Sequence, residues 1–268
     1  MTRTILVTRP KGPDDTLTDL LLAGGMKVLH LPLIELRPIA SDDPAMEHLN
    51  DALSDLSRYD WLIFASTNAV KFFFHFLKAA NKELDPACKI AAVGTSTALA
   101  IEALGHTVDL VPLEHNAQSL VKSLIEAHDM RARNVLWPRT DIGLETIRDG
   151  LYAAGATVDP LIVYRTSMPH DQAAIKQRLS ELVEKKEIDA IALTSGQAAR
   201  NLAELLPDKH LLDPIKLASI GPATTRAIER ALDRTPDIQP APQDCTASGL
   251  AQALLTSLAK DINQDKNI

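Results

Sequence analysis

Short apolar runs alternate along this chain with longer stretches in which the apolar residues recur at helical spacing. Runs at 4–8, 61–65 and 188–194 predict buried strands, and the patterns at 69–77 and 197–206 predict helices that follow two of them. Strands and helices that alternate with short connections form parallel sheets with helices on both faces. The sequence therefore predicts an α/β fold.

One strand, turn and helix pattern occurs twice, as KIAAVGTSTALAIEAL from position 89 and as KLASIGPATTRAIERAL from position 216. Three further blocks repeat at nearly the same separation: 5–9 with 135–139, 60–69 with 189–198, and 117–120 with 247–250. Self-similarity at a constant period indicates that a structural unit has been duplicated. We infer an internal repeat with a period of about 130 residues.

Two extended runs, at 26–39 and 157–167, are longer than a small sheet can use. The first would span roughly 45 Å at ~3.3 Å per residue, and Pro32 and Pro38 prevent continuous ladder bonding within it. We interpret both runs as crossings, at which the chain leaves a first domain and later returns to it. The expected domains are 1–35 plus 168–268 and 40–158, with linkers at 36–39 and 159–167.

This arrangement is two doubly wound parallel-sheet domains joined by a two-stranded extended linker. Ligands of doubly wound sheets bind at the carboxyl ends of the strands. We therefore expect the functional residues on turns that follow strands, facing a cleft between the domains.

Composition narrows the functional classes. The 268 residues carry 28 basic and 35 acidic side chains, a net charge of −7, and no basic cluster predicts a nucleic-acid partner. No apolar run reaches the ~18 residues of a membrane span and the first residues do not resemble a signal peptide, so we expect a cytoplasmic protein without membrane contacts. The histidines and the two cysteines lack metal-ligand spacing and no glycine-rich nucleotide loop occurs, so we expect neither metal nor cofactor.

The candidate binding residues lie on turns where a strand passes into a helix. Backbone N–H groups at a helix N-terminus can hold carboxylates, but serines there are also explained as helix caps, and glycines as points of close strand-to-helix passage. The sequence is consistent with both explanations. The four turns are Ser66, Thr67 and Asn68; Gly94, Thr95 and Thr97; Ser195, Gly196 and Gln197; and Gly221, Pro222, Ala223 and Thr224.

Three more side chains are candidates because of where they fall. Arg9 and Arg139 follow equivalent strands, either as solvated side chains or as paired contacts to anions. Tyr164 lies in the second linker, where its phenol either packs against the edge of a domain or donates a proton into the cleft.

In order and spacing, six blocks of the chain resemble the uroporphyrinogen-III synthase family, and the resemblance covers almost the full length. The blocks are VTRP at 7–10, FASTNAV at 64–70, VGTSTA at 93–98, VYR at 163–165, LTSG at 193–196 and IGPAT at 220–224. The resemblance implies two domains joined by a two-stranded linker, with the active site between them. The chain departs from the family at Thr140, where glycine often follows the arginine.

The reaction that the resemblance implies is closure of the linear tetrapyrrole hydroxymethylbilane to uroporphyrinogen III. Water is lost to give an azafulvene, a spirocyclic pyrrolenine forms at ring D, and fragmentation and reclosure invert that ring. The resemblance also implies a monomer that acts on this small molecule without a cofactor. It assigns the acid for hydroxyl departure to Tyr164 and substrate contacts to Thr97, Thr224, Ser66 and Ser195.

The alternative is a non-catalytic, hinged two-lobe protein that binds a small anion, because such proteins also consist of two doubly wound lobes. The expected lack of a signal peptide and of a DNA-binding module weighs against it. Incubation with hydroxymethylbilane and separation of the product isomers distinguishes the two hypotheses.

Overall fold

The structure is a computed structural model that describes residues 2–11, 15–206 and 208–264, with side chains described as far as 259. The sequence predicts a first helix over 14–23, and its start at Asp14 lies outside the described residues, as does the end of the expected first domain, 265–268. Within them the chain forms nine strands: β1 (Thr4–Val7), β2 (Lys27–His30), β3 (Glu35–Pro38), β4 (Trp61–Phe64), β5 (Lys89–Ala92), β6 (Asn134–Thr140), β7 (Thr157–Ser167), β8 (Ala190–Leu193) and β9 (Lys216–Ser219).

Helices follow most of the strands directly. In the described part of the chain the α-helices are α1 (Thr16–Ala23), α2 (Ala45–Ser54), α3 (Thr67–Ala79), α4 (Thr95–Glu102), α5 (Ala117–Ala127), α6 (Thr146–Ala153), α7 (Gln172–Glu184), α8 (Gly196–Leu205), α9 (Pro222–Leu232) and α10 (Ala247–Gln264). Among these described helices, none combines the length and apolar character needed to cross a membrane.

The chain divides into two compact units, and each contains one sheet. The first unit is Met1–Glu35 together with Ser167–Ile268, and the second is Leu36–Thr166. The strand order is β2-β1-β8-β9 in the first sheet and β3-β7-β6-β4-β5 in the second. Pairing is parallel between β1 and β2, β1 and β8, β8 and β9, β4 and β5, β4 and β6, and β6 and β7. Each sheet therefore takes strands from both repeats.

Helices cover both faces of the first sheet because its central strands are apolar on both sides. Successive side chains of a strand point to opposite faces. Leu6 and Ile191 pack in a core with apolar residues of α7, α8 and α9, whereas Ile5 and Ala192 pack in a second core with residues of α1 and α10. Continuous apolar strands of this kind are typical of buried parallel sheets.

The second sheet is built in the same way. Leu62 and Phe64 pack with α2, α3 and α4, and Trp61 and Ile63 pack with α5 and α6. The predicted α/β fold with two doubly wound parallel sheets is thus confirmed.

Hydrogen bonds repeat along with the sequence. In the second unit Asp60 accepts bonds from Arg133 Nη1 (2.7 Å) and Asn134 N (2.9 Å). In the first unit Asp189 accepts the equivalent bonds from Arg3 Nη1 and Thr4 N, both 2.7 Å long. In each unit, an aspartate of one repeat therefore holds the first strand of the other repeat in the sheet.

Two elements differ from the sequence expectations. Helix α7 was not predicted, although Ile175, Leu179 and Leu182 recur at helical spacing. The sequence also predicts a strand over 107–111, and this prediction is wrong, because in this segment only Leu110 forms an isolated bridge, to Ala91. Here the Asp109 carboxylate accepts the Ile90 N–H at 2.8 Å, where a continued strand would supply a carbonyl.

The two extended runs are more regular than expected. Residues 35–38 form a strand of the second sheet, and β7 is paired with β6 from Thr157 to Tyr164, with a register shift at its end. Most of the segment at 159–167, interpreted as a linker, therefore lies in the sheet.

Candidate functional site

A cavity of about 320 Å³ opens within the second unit, where β4 and β6 end and α3 and α6 begin. Its lining includes three of the candidate residues, Ser66, Arg139 and Tyr164. The other lining residues used below are Trp137, Ile142 and Leu144. The carboxyl end of the sheet is where ligands of such folds bind.

The Tyr164 side chain contacts the protein through both its ring and its hydroxyl group. The side chain is almost fully buried, and its ring stacks on Phe72 with a centroid distance of 5.0 Å. Its Oη lies 3.5 Å from Ser66 Oγ, which is a long contact for a hydrogen bond. The same Ser66 oxygen accepts the Ala69 N–H at 3.2 Å as the cap of α3, so the serine is fixed in place.

The environment keeps the Tyr164 phenol protonated. Burial raises the pKa of Tyr164 above its ordinary value of 10, and the Asp141 carboxylate adds to this increase. The Ser66 hydroxyl and the Arg139 guanidinium lower the pKa but do not outweigh burial. At neutral pH this group is a proton donor and not a base.

Arg139 is engaged by the protein on several sides. Its Nη1 donates to Glu145 Oε1 at 2.6 Å, its Nε donates to the Thr140 carbonyl at 3.1 Å, and its guanidinium lies 4.1 Å from the centroid of the Trp137 ring. Glu145 also lies 3.2 Å from Arg148 Nη1, but that contact lacks hydrogen-bond geometry, and the buried Oε2 has no donor. The positive charge of Arg139 is therefore balanced within the chain.

Residues 141–145, here called the strap, connect β6 to α6 along the cavity. Asp141 at its start accepts bonds from Arg165 Nη1 (3.0 Å) and Thr140 Oγ1 (3.0 Å). Arg165 in turn makes two bonds to Asp43, at 2.6 and 2.8 Å. Glu145 at its end is paired with Arg139, so both ends of the strap are anchored by ion pairs.

The remaining candidates of the second unit lie at helix N-termini and are not among the residues that line the cavity. Thr67 and Asn68 form the first turn of α3. Gly94 precedes α4 and supplies no side-chain cap, Thr95 is exposed, and Thr97 is buried in the first turn. An added Cβ at Gly94 would lie 3.1 Å from His115, so close packing favours glycine here.

The first unit holds the other candidates. Ser195 caps α8 by accepting the Ala198 N–H at 3.1 Å, Gly196 begins the helix, and the Gln197 amide donates to Asn201 at 2.7 Å. Arg9 forms an ion pair with the buried Asp15. Burial acts to raise the pKa of Asp15, but hydrogen bonds from Thr18 and Arg9 outweigh it and hold that pKa below its ordinary value.

Helix α9 begins like α4. Gly221 precedes it without a side-chain cap, Pro222 takes the first helical position, and Ala223 and Thr224 complete the first turn. An added Cβ at Gly221 would lie 3.2 Å from Cys245. Among the described residues, no cluster of histidine, cysteine and carboxylate side chains is arranged to bind a metal.

The sequence analysis missed several residues around the cavity. Glu145, Trp137, Ile142 and Leu144 were not singled out, because nothing local marks them. One signal was available for Glu145, since Arg9 and Asp15 are separated by six positions, as are Arg139 and Glu145, and both pairs are ion pairs.

Comparison with known proteins identifies a family for this chain. A family model described as uroporphyrinogen-III synthase HemD matches residues 15–261. Uroporphyrinogen-III synthase of Synechococcus elongatus is 32% identical over 263 residues, which cover 94% of each chain. The Escherichia coli protein of the same name is 29% identical over 204 residues, which cover 76% of this chain and 80% of that protein.

Solved structures agree in fold. The uroporphyrinogen-III synthetase of Helicobacter pylori superposes with a TM-score of 0.63 at 16% identity, over 96% of this chain and 100% of the other. A mutant uroporphyrinogen III synthase of Thermus thermophilus gives a TM-score of 0.60 at 20% identity, over 97% and 100%.

Proposed function

Because this chain belongs to the uroporphyrinogen-III synthase family, we propose that the cavity around Ser66 and Tyr164 is where its reaction takes place. The enzyme cyclises hydroxymethylbilane in tetrapyrrole biosynthesis and is a cyclising lyase. The observation that supports the proposed location is the meeting of a buried, protonated phenol and a fixed serine hydroxyl in a cavity at the carboxyl end of a parallel sheet.

The proposed role of Tyr164 is to donate a proton to the departing hydroxyl. The bond between the hydroxymethyl carbon and its oxygen breaks, the phenol proton moves to that oxygen, and water leaves. The pyrrole nitrogen lone pair stabilises the cation that remains, as an azafulvenium. Ring closure ends with loss of a proton from the ring carbon that forms the new bond, and this proton restores the phenol.

The raised pKa of Tyr164 limits what this donor can contribute. A weaker acid transfers its proton less completely, so hydrogen bonding to the leaving oxygen carries much of the effect. General acid catalysis typically contributes ~10²–10⁴ in rate, and we place Tyr164 at the lower end. The remaining acceleration comes from holding the chain in the shape that forms the spirocycle.

The carboxylates of the substrate are proposed to bind at the helix N-termini of both units. The turns are those of Ser66, Gly94, Ser195 and Gly221. Gly94 and Gly221 supply no side-chain cap to α4 and α9. The Thr97 N–H is bonded to the Gly94 carbonyl at 3.1 Å and Pro222 has no N–H, so the proposed anion donors are the N–H groups of Thr95 and Ser96 in α4 and of Ala223 and Thr224 in α9. Backbone donors of this kind suit a polyanionic substrate in a protein whose net charge is −7, because the attraction is local.

The test is turnover of hydroxymethylbilane by three single variants, with separation of the product isomers. We expect Tyr164→Phe to lower kcat by ~10² while the product stays the isomer with ring D inverted. Ser66→Ala should lower kcat less, and Tyr152→Phe, at a mostly exposed tyrosine of the same unit, should leave kcat unchanged. An unchanged kcat in Tyr164→Phe would remove this residue as the donor.

We also propose that the protein acts in the cytoplasm as a monomer. Sedimentation equilibrium of the pure protein should give the mass of one chain, and a dimer mass at micromolar concentration would contradict this.

A further inference from the structure

We infer that Ile142 and Leu144 on the strap bind the face of one pyrrole ring of the substrate. This inference rests on the proposed location of the reaction, since the strap borders the same cavity as Ser66 and Tyr164. The proposed ligand of this cavity is thus a ring, whereas the sequence left open whether Arg139 is a solvated side chain or a contact to an anion.

The first support is the exposure of the two side chains. Ile142 is 40% exposed and Leu144 is 81% exposed, although both line the cavity. Single exposed leucines are common on proteins, but two in three positions beside a cavity form a continuous apolar wall. Trp137 extends this wall into the core.

The second support is that the strap is held in place without a ligand. Asp141 is fixed by Arg165, and Glu145 is fixed by Arg139. Between them Gly143 adopts a φ of +132°, which side chains rarely tolerate, so the turn that presents Ile142 and Leu144 depends on glycine. An apolar wall that is already positioned binds its ligand without an ordering cost.

The third support is the balance of charge. Arg139 is the cationic residue in the cavity wall, and Glu145 already neutralises it. A carboxylate placed here would have to compete with Glu145, whereas an aromatic ring needs only apolar and aromatic neighbours. A volume of about 320 Å³ suits one pyrrole ring and not a whole tetrapyrrole.

The first experiment measures steady-state kinetics with hydroxymethylbilane for the double variant Ile142→Ser/Leu144→Ser. We expect KM to rise ~10-fold with kcat within twofold, because binding shared by ground state and transition state is lost. Leu104→Ser, at an exposed leucine outside the lining, is the control and should change neither constant. An unchanged KM in the double variant would overturn the inference.

The second experiment uses porphobilinogen, a monopyrrole with one acetate and one propionate, in saturation-transfer NMR. Ring contact predicts strongest saturation at the ring proton and at least fivefold weaker saturation with the double variant. Glutarate, a dicarboxylate without a ring, should not displace the probe. Displacement by glutarate, or equal saturation in the double variant, would contradict ring binding. Unchanged turnover in Tyr164→Phe and Ser66→Ala would refute the proposed reaction site. The saturation-transfer experiment would still test whether Ile142 and Leu144 bind a ring, because it does not depend on turnover.

A third comparison keeps the inference testable should the double variant unfold. Gly143→Ala strains the strap, and Gly105→Ala strains an equally unusual turn, with a φ of +88° and open space around it. Both should lose similar thermal stability, but only Gly143→Ala should raise KM. An equal KM in the two variants would count against the strap.

Discussion

Removing the charge of Glu145 should destabilise the second unit more than removing that of its partner Arg139. The Arg139 side chain is 9% exposed, whereas that of Glu145 is 34% exposed. Breaking a buried ion pair typically costs ~3–5 kcal/mol, and exposed pairs contribute only ~0–1 kcal/mol. In Glu145→Met the guanidinium keeps the Thr140 carbonyl and the Trp137 ring, so we expect a loss of about 2 kcal/mol in the free energy of unfolding.

The reverse substitution leaves a carboxylate on a side chain that is 34% exposed. In Arg139→Met, Glu145 still has Arg148 at 3.2 Å, so the loss should be about 1 kcal/mol and come mainly from packing on Trp137. The double variant should lose about 1.5 kcal/mol, which gives a coupling energy of about 1.5 kcal/mol between the two sites. Urea unfolding followed by circular dichroism measures all four proteins, and calorimetry should show ~2–4 °C per kcal/mol.

The ion pair of Arg9 and Asp15 in the first unit is a matched comparison, because here the acid is the more buried partner and the arginine is the more exposed one. Arg9 is 29% exposed and Asp15 is 3% exposed. Here Arg9→Met strands a buried carboxylate, whereas Asp15→Asn keeps an acceptor for the helix cap and leaves a solvated arginine. We therefore expect loss of the arginine to cost more in this pair and loss of the acid to cost more in the other. The same order in both pairs would refute the reasoning from burial.

Two further predictions concern stability. The Arg165 guanidinium and the Ala45 N–H hold the pKa of Asp43 at about 2, below its ordinary 3.8, so its stabilising effect is present above pH ~4 and is lost as the pH falls toward ~2. This effect is on the order of 1 kcal/mol, because solvent reaches Arg165, and acid titration of Asp43→Asn should lack this loss. Asn201→Ala should lower the free energy of unfolding by about 2 kcal/mol, because the buried Asn201 amide donates to the Leu33 carbonyl at 2.6 Å and its removal leaves that carbonyl without a donor. A loss under about 0.5 kcal/mol in urea unfolding would show that water replaces the amide.

The fold could be predicted because its signals are local and occur twice. Four-residue apolar strands such as β4 and β8 are buried on both faces, and this leaves a continuous run in the sequence. The turns at Gly94 and Gly221 could be recognised because the same strand, glycine and helix pattern occurs twice in the sequence. Their φ angles, −162° and 173°, are open to any residue, and the structure shows that glycine is favoured by His115 and Cys245 packed over them.

What the sequence did not predict depends on contacts between distant segments. Leu110 forms an isolated bridge to β5, and Ile238 forms one to β9. The residue before each is an aspartate whose carboxylate accepts a backbone N–H of that strand at 2.8 Å: Asp109 from Ile90 and Asp237 from Leu217. A carboxylate that replaces a carbonyl ends the ladder, but an apolar pattern at 107–111 cannot reveal that. The cavity was missed for a related reason, because Ser66, Tyr164 and the strap come together only when β4 and β7 pair with β6.

The repeated arginine and acid pairs explain why equivalent sequence positions need not do equivalent chemistry. Both pairs join a strand end to the start of a helix at a separation of six residues, but Arg9 follows β1 whereas Arg139 lies within the last residues of β6, which ends at Thr140. In the first repeat the acid is buried and caps α1, so the pair is part of the core of its unit. In the second repeat the arginine is buried over Trp137 and the acid lies at the end of the strap, so the same pair supports the wall of a cavity. A duplicated contact can therefore maintain the fold in one copy while in the other it holds an apolar surface beside Tyr164, which is why matched arginines alone do not point to the proposed ring-binding residues.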